Sequence, residues 1–202
     1  MPSSSAAQPR LRVLFAVTLA GGLAACGGGG GSGDDSATGT GGGTEAPAPG
    51  PAASPAAVAD CGLPDFRAEA LRLINQHRTA GAVCGRQGRF DATKALTWSD
   101  RLAQAAAGHS ADMANHDYFS HTSRDGTSFS QRIQATGYRG ATLAENIAAG
   151  QSSVQEVVNS WMDSEGHCVN IMTADYTEFG LACVAGPGSY GRYWTMNLAA
   201  PR

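Results

Sequence analysis

Two imidazoles and a carboxylate on three separate segments carry the chemistry available to this sequence: His121, Glu145 and His167. Each lies in a longer string: Tyr118-Phe119-Ser120-His121, Ala144-Glu145-Asn146-Ile147-Ala148, and Trp161-Met162-Asp163-Ser164-Glu165-Gly166-His167. Neutral imidazole is a good ligand for zinc or copper, and a nearby carboxylate can orient an imidazole or a metal-bound water. Such a set makes a thin, open site. It would hold zinc or another divalent metal weakly, through His121 and His167, or serve as a polar floor for a different ligand. No catalytic residue is assigned, and Glu145 comes nearest to a candidate. There is no H-E-x-x-H helix. Ser164 with His167, at i and i+3 across Gly166, lacks the oxyanion-hole signature that would support a nucleophile. Taken singly, each histidine is equally well explained by hydrogen bonds to a loop backbone.

Residues this far apart act together only if the fold gathers them. Residues 65–79 read as a helix, with Phe66, Ala70, Leu73, Ile74 and His77 on one face; Asn75 and Arg78 near its end are placed to brace a neighbouring loop. Leu96-Thr97-Trp98 leads into a second helix capped by Ser99. Its buried stripe is Leu102, Ala105, Ala106, His109 and Met113, so His109 reads as a satisfied core histidine. A short third helix spans 128–136 with Phe129 and Ile133 inward, stopped by Gly137. Residues 138–150, which carry Glu145, read as irregular. A fourth helix follows the Ser153 cap, buries Val154, Val157, Val158 and Trp161, and ends at Gly166. Residues 179–184 then read as a strand. Residues 193–198 alternate, with Trp194, Met196 and Leu198 on one face and Tyr193, Thr195 and Asn197 on the other. Helices followed by a late antiparallel β-hairpin indicate an α+β layer fold.

The N-terminus reads as targeting signal, not fold. Arg10 and Arg12 form a basic start, and the apolar run 11–19 is too short to span a bilayer. Leu23-Ala24-Ala25-Cys26 resembles a bacterial lipobox, which implies cleavage of residues 1–25 and a lipid on Cys26. Residues 26–60 are rich in Gly, Ser, Ala and Pro, with almost nothing to bury, and read as a disordered tether. The head, 61–202, is the size of one core. With 14 Lys+Arg against 17 Asp+Glu and a net charge of −3, the chain has no basic stripe, which argues against nucleic acid as a partner.

Apart from Cys26, the cysteines are Cys61, Cys84, Cys168 and Cys183. An even number in an exported head indicates two disulfides. Sequential pairing, Cys61–Cys84 and Cys168–Cys183, closes the shorter loops and is the pairing expected here.

The order of motifs resembles the CAP superfamily (cysteine-rich secretory, antigen 5, pathogenesis-related type 1), bacterial secreted branch. The matching residues are Asn75-x-x-Arg78, Leu96-x-Trp98, His109-Ser110-x-Asp112-Met113, Tyr118 to His121, Arg132-Ile133, Gly137-Tyr138, Glu145 to Ala148, Trp161-x-x-Ser164-x-Gly166-His167, Asn170-Ile171-Met172, Gly180 and Tyr193-Trp194-Thr195. The resemblance implies a three-layer α-β-α sandwich with His121, Glu145 and His167 lining a cleft, the two histidines able to hold a metal. The sequence departs from the animal and plant pattern at Ser164, where those relatives carry a second cleft Glu. Glu165 is adjacent, but one helical step turns it ~100° away. Ala144 replaces a Gly, a strain if that position needs positive φ. The late Gly-His segment of those relatives is absent.

Three functions compete on these grounds. The first is a non-enzymatic, lipid-anchored envelope protein whose cleft binds a lipid, peptide or glycan ligand, in the outer membrane or periplasm if the cell is Gram-negative. The second is a metal-dependent hydrolase or peptidase using His121, His167 and Glu145. The third is a structural envelope protein with a vestigial cleft.

Overall fold

A computed structural model describes residues 59–202; the signal, Cys26 and nearly all of the expected tether lie outside them. The elements in chain order are α1 (Phe66–Ala80), β1 (Ala82–Val83), a 3-10 turn (Gly85–Gln87), β2 (Arg89–Phe90), β3 (Thr97–Trp98), α2 (Asp100–His116), α3 (Phe129–Ala135), β4 (Gly140–Ala149), α4 (Val154–Met162), α5 (Glu165–Met172), β5 (Glu178–Ala185) and β6 (Arg192–Pro201). The main sheet has the order β3-β5-β6-β4. Only the β3–β5 pair is parallel.

The alternation read in residues 193–198 is real, yet both of its faces are buried, because helices cover the sheet on either side. Trp194, Met196 and Leu198 face α1, α4 and α5; Trp194 stacks on Phe66 at 6.0 Å between ring centroids. On the opposite face, Thr195 accepts a bond from the Ser110 hydroxyl of α2, and the Asn197 amide donates to the Leu102 carbonyl. Each of these side chains finds a partner for one polar atom, while the buried Asn197 amide oxygen has none among the described residues. This is the three-layer α-β-α sandwich of an α+β protein. Gly180 lets α2 lie directly on β5: a Cβ at that position would stand 2.0 Å from the Ala103 amide nitrogen.

Asn75 and Arg78 brace as read from the sequence. The Asn75 amide exchanges two bonds with the backbone of Leu96, and the buried Arg78 guanidinium donates to the carbonyls of Lys94, Ile171, Thr173 and Tyr176.

Three expectations fail. Residues 140–149 are not irregular but form β4, paired with β6 from Gly140 to Ala149. Its Ala-rich sequence has little strand preference of its own, and pairing plus burial decides its state. Gly166 does not end the fourth helix; the chain breaks at Asp163–Ser164, and Gly166 and His167 sit inside the separate helix α5. The disulfides are Cys61–Cys183 and Cys84–Cys168, not Cys61–Cys84 and Cys168–Cys183, with Cα separations of 5.2 and 5.4 Å. Cys61 enters beside β5, where its amide donates to the Cys183 carbonyl. Loop-closure entropy grows only logarithmically with length, so it does not select the short loops once the sheet has set which thiols meet.

Candidate functional site

β4 is an outer strand of the sheet, and the site lies along it. Glu145 points to the α2–α3 face. Its carboxylate, 1 % exposed, receives a bond from His121 Nδ1 at 2.9 Å on one oxygen and from Arg132 Nη2 at 2.6 Å on the other. A buried carboxylate needs such partners to remain ionised. Facing an ionised carboxylate, which only accepts, His121 Nδ1 carries the proton and its Nε2 is left for the solvent side. The His121 side chain is 52 % exposed.

Arg132 ties the arrangement to α3. It also donates to the His121 carbonyl at 3.0 Å, to the Ser123 hydroxyl and to the Thr127 carbonyl. A capping box between Ser128 and Gln131 fixes the start of α3, and Gly137, at φ 78°, lets the chain turn away just beyond its end.

His167 comes from the other layer. Asn146, next to Glu145 but on the opposite face of β4, is fully buried; it donates to the His167 carbonyl at 3.1 Å and accepts from the Asn170 amide at 2.8 Å. This pins α5 to the sheet edge. The His167 ring is half-buried and has no hydrogen-bond partner among the described residues. Burial, and secondarily the nearby His121, hold its pKa below the ordinary imidazole value, so its neutral form is favoured.

His121, Glu145 and His167 therefore line one groove, open to solvent, of about 750 Å³. Its far wall is a feature the sequence reading missed. Arg86 and Gln87, in the 3-10 turn after Cys84, donate to the Glu165 carboxylate at 3.2 and 3.0 Å. The Cys84–Cys168 bridge brings that turn against α5. No local signal marks Arg86 or Gln87, because their place depends on the long-range disulfide. Glu165, expected to rotate away, is on the groove wall. The 100° step assumed a helix continuous from Trp161, and the helix is broken before Glu165. Arg132 sits in a motif of the family resemblance, but its partnership with Glu145 is a tertiary fact. Ala144 lies in regular β4 without positive φ, so the loss of Gly causes no strain there.

The donor set limits what metal could bind. Both Glu145 oxygens are engaged, and the Arg132 guanidinium lies beside them. Among the described residues no group of three or more His, Cys, Asp or Glu could hold a metal ion.

A layered α-β-α sandwich with a His/Glu groove at its sheet edge defines a CAP-type domain. The chain belongs to the cysteine-rich secretory protein family, whose model matches residues 71–198. Two curated relatives from Bacillus subtilis (strain 168), both uncharacterized, are similar over about half of this chain: YkwD, 35% identical over 105 residues, and the membrane protein YlbC, 33% identical over 103. The aligned parts are 39% and 28% of those proteins, so the chain spans well under half of either. Among solved structures, an extracellular SCP-domain protein of Bacillus anthracis is 28% identical with a TM-score of 0.50, covering 68% of this chain and 43% of that one. An outer surface protein of Borrelia burgdorferi, 17% identical, shares the fold with a TM-score of 0.53, covering 66% of this chain and 94% of that one.

Proposed function

We propose that this chain is an exported, lipid-anchored CAP-domain protein whose groove binds a ligand or partner without transforming it. One observation carries the non-enzymatic reading. Glu145, the nearest candidate for a general base, is buried and has both oxygens committed to His121 and Arg132. A base that activates water must be reachable by it, and this carboxylate is almost wholly enclosed. The groove atoms without a partner among the described residues are instead His121 Nε2, the His167 ring and the amide oxygens of Gln87 and Asn170, which suit binding.

Export is supported by two disulfides, which persist in oxidising compartments, and by the extracellular B. anthracis relative. Among the described residues no helix is long and apolar enough to cross a membrane. Anchoring rests on the Leu23-Ala24-Ala25-Cys26 string. Metabolic labelling with a palmitate analogue tests it, and label retained in Cys26→Ser would overturn it.

Calorimetric titration with zinc chloride tests the groove. Weak binding is expected, lost in the His121→Ala/His167→Ala double variant with the fold kept. No heat at millimolar zinc would remove the metal role. Cleavage of a peptide library by the purified protein, abolished in Glu145→Gln, would replace the binding reading with a hydrolytic one.

A further inference from the structure

Behind the exposed wall of the groove, α2 carries a histidine that the site's direct contacts do not use. His109 is 1 % exposed. Its Nε2 lies 2.8 Å from the Ser120 carbonyl. A carbonyl only accepts, so Nε2 carries the proton and Nδ1 presents a bare lone pair. That lone pair has no partner and is fully enclosed. The ring otherwise packs edge-on against Tyr118, at 6.3 Å between centroids. Its companions on the stripe are Leu102, Ala105, Ala106 and Met113. An apolar side chain would fill this place without leaving a buried nitrogen unsatisfied, so packing alone does not account for an imidazole here.

The Ser120 carbonyl precedes the residue that faces the groove. The next carbonyl, that of His121, accepts from Arg132 at 3.0 Å. Two successive carbonyls are thus held from two helices, α2 and α3, with the half-exposed His121 side chain between them. Without such anchors a loop imidazole would sample several rotamers, and ordering it on binding would cost entropy. Held this way, it keeps Nδ1 on Glu145 and Nε2 toward the groove before any ligand arrives.

We infer that His109 is a positioning residue of the groove: its Nε2–H anchors the Ser120 carbonyl and so fixes the ring orientation and tautomer of His121. Its value to the protein rests on the binding role proposed for the groove, but the geometry does not.

Long-range ¹H–¹⁵N correlation of the histidine rings, with no ligand present, tests this on the whole protein. In the wild type, His109 is expected as the Nε2–H tautomer and His121 as the Nδ1–H tautomer. His109→Gln, whose amide N–H can stand where Nε2–H stood, should keep the His121 signature. His109→Leu should lose it, giving the mixed tautomers of a free imidazole while the Trp161 and Trp194 indole signals stay in place. An unchanged His121 spectrum in His109→Leu overturns the inference. So does a wild-type His109 protonated on Nδ1, a result that stands even if the leucine variant does not fold. Zinc plays no part in the measurement, so failure here and failure of the binding reading are separate outcomes.

Discussion

Glu145 and Arg132 form an ion pair of 2.6 Å, with the carboxylate 1 % and the guanidinium 11 % exposed. The same guanidinium holds the carbonyl of the residue that occupies the carboxylate's other oxygen. One arginine therefore ties a loop, a strand and a helix into one unit.

Removing that arginine should be severe. Arg132→Leu leaves a buried carboxylate without its cation, which costs about 3–5 kcal/mol in comparable sites. Arg132→Lys keeps the charge but not the fork reaching Ser123, Thr127 and His121, and should recover only part of the loss. Urea denaturation checks both; a loss below about 1 kcal/mol in Arg132→Leu would mean the pair is not as dry as its burial indicates.

Acid should weaken the fold early. Burial holds the pKa of His109 and of His167 below that of a free imidazole, near 6.5 in the unfolded chain. Between the folded and unfolded values the unfolded chain binds more protons, so stability rises with pH. The full contribution is present above about pH 6.5 and declines as pH falls through that value toward the lower folded ones. Denaturant midpoints measured from about pH 7.5 to pH 5 should fall accordingly. The fall should be shallower in a His109→Gln/His167→Gln variant, and the same slope in both proteins would show that other groups are responsible.

Digests without reduction should yield a Cys61–Cys183 peptide and a Cys84–Cys168 peptide. Their sequence separations are 122 and 84 residues, and closing loops of that size is worth roughly 4–5 kcal/mol each in the chain-entropy model. Cys84→Ser/Cys168→Ser should also release the Arg86–Gln87 wall, read as faster amide exchange over residues 84–88. Exchange there as slow as in the wild type would show that the Glu165 contacts suffice.

Gly180→Ala tests the contact between α2 and β5. The added methyl would meet the backbone of Leu102 and Ala103, not a side chain that can swing aside. Overpacking of this kind usually costs ~1–3 kcal/mol, and rigid backbone on one side puts this case at or above the upper end. Thermal unfolding within a degree of the wild type would show that the layers can separate cheaply.

Much of the fold was legible in the chain. The stripes of α1, α2 and α4 have helical period, Ser99 and Ser153 mark helix starts, and residues 193–198 alternate as a strand must. Asn75 and Arg78 stand where a loop needs bracing. The three groove residues could be named because each sits in a distinctive string. β4 was not legible, since Gly140 to Ala149 holds few residues that prefer strands and gains its state from β6. The break before α5 was missed because Gly166 is a stronger local punctuator than Asp163-Ser164, yet the tertiary contacts of α5 keep Gly166 helical.

Local chemistry by itself determined which side chains could bind or ionise, where most helices begin and that two disulfides would form. Tertiary structure alone decided which thiols pair, that Arg132 neutralises Glu145, that Arg86 and Glu165 wall the groove and that His109 reaches the Ser120 carbonyl. The division is physical. Period, capping and turn preferences act over a few residues and are written in the order of the chain. Ion pairs, bridges and groove walls join residues from 11 to 122 positions apart, and their energies exist only after the packed sheet has brought them together.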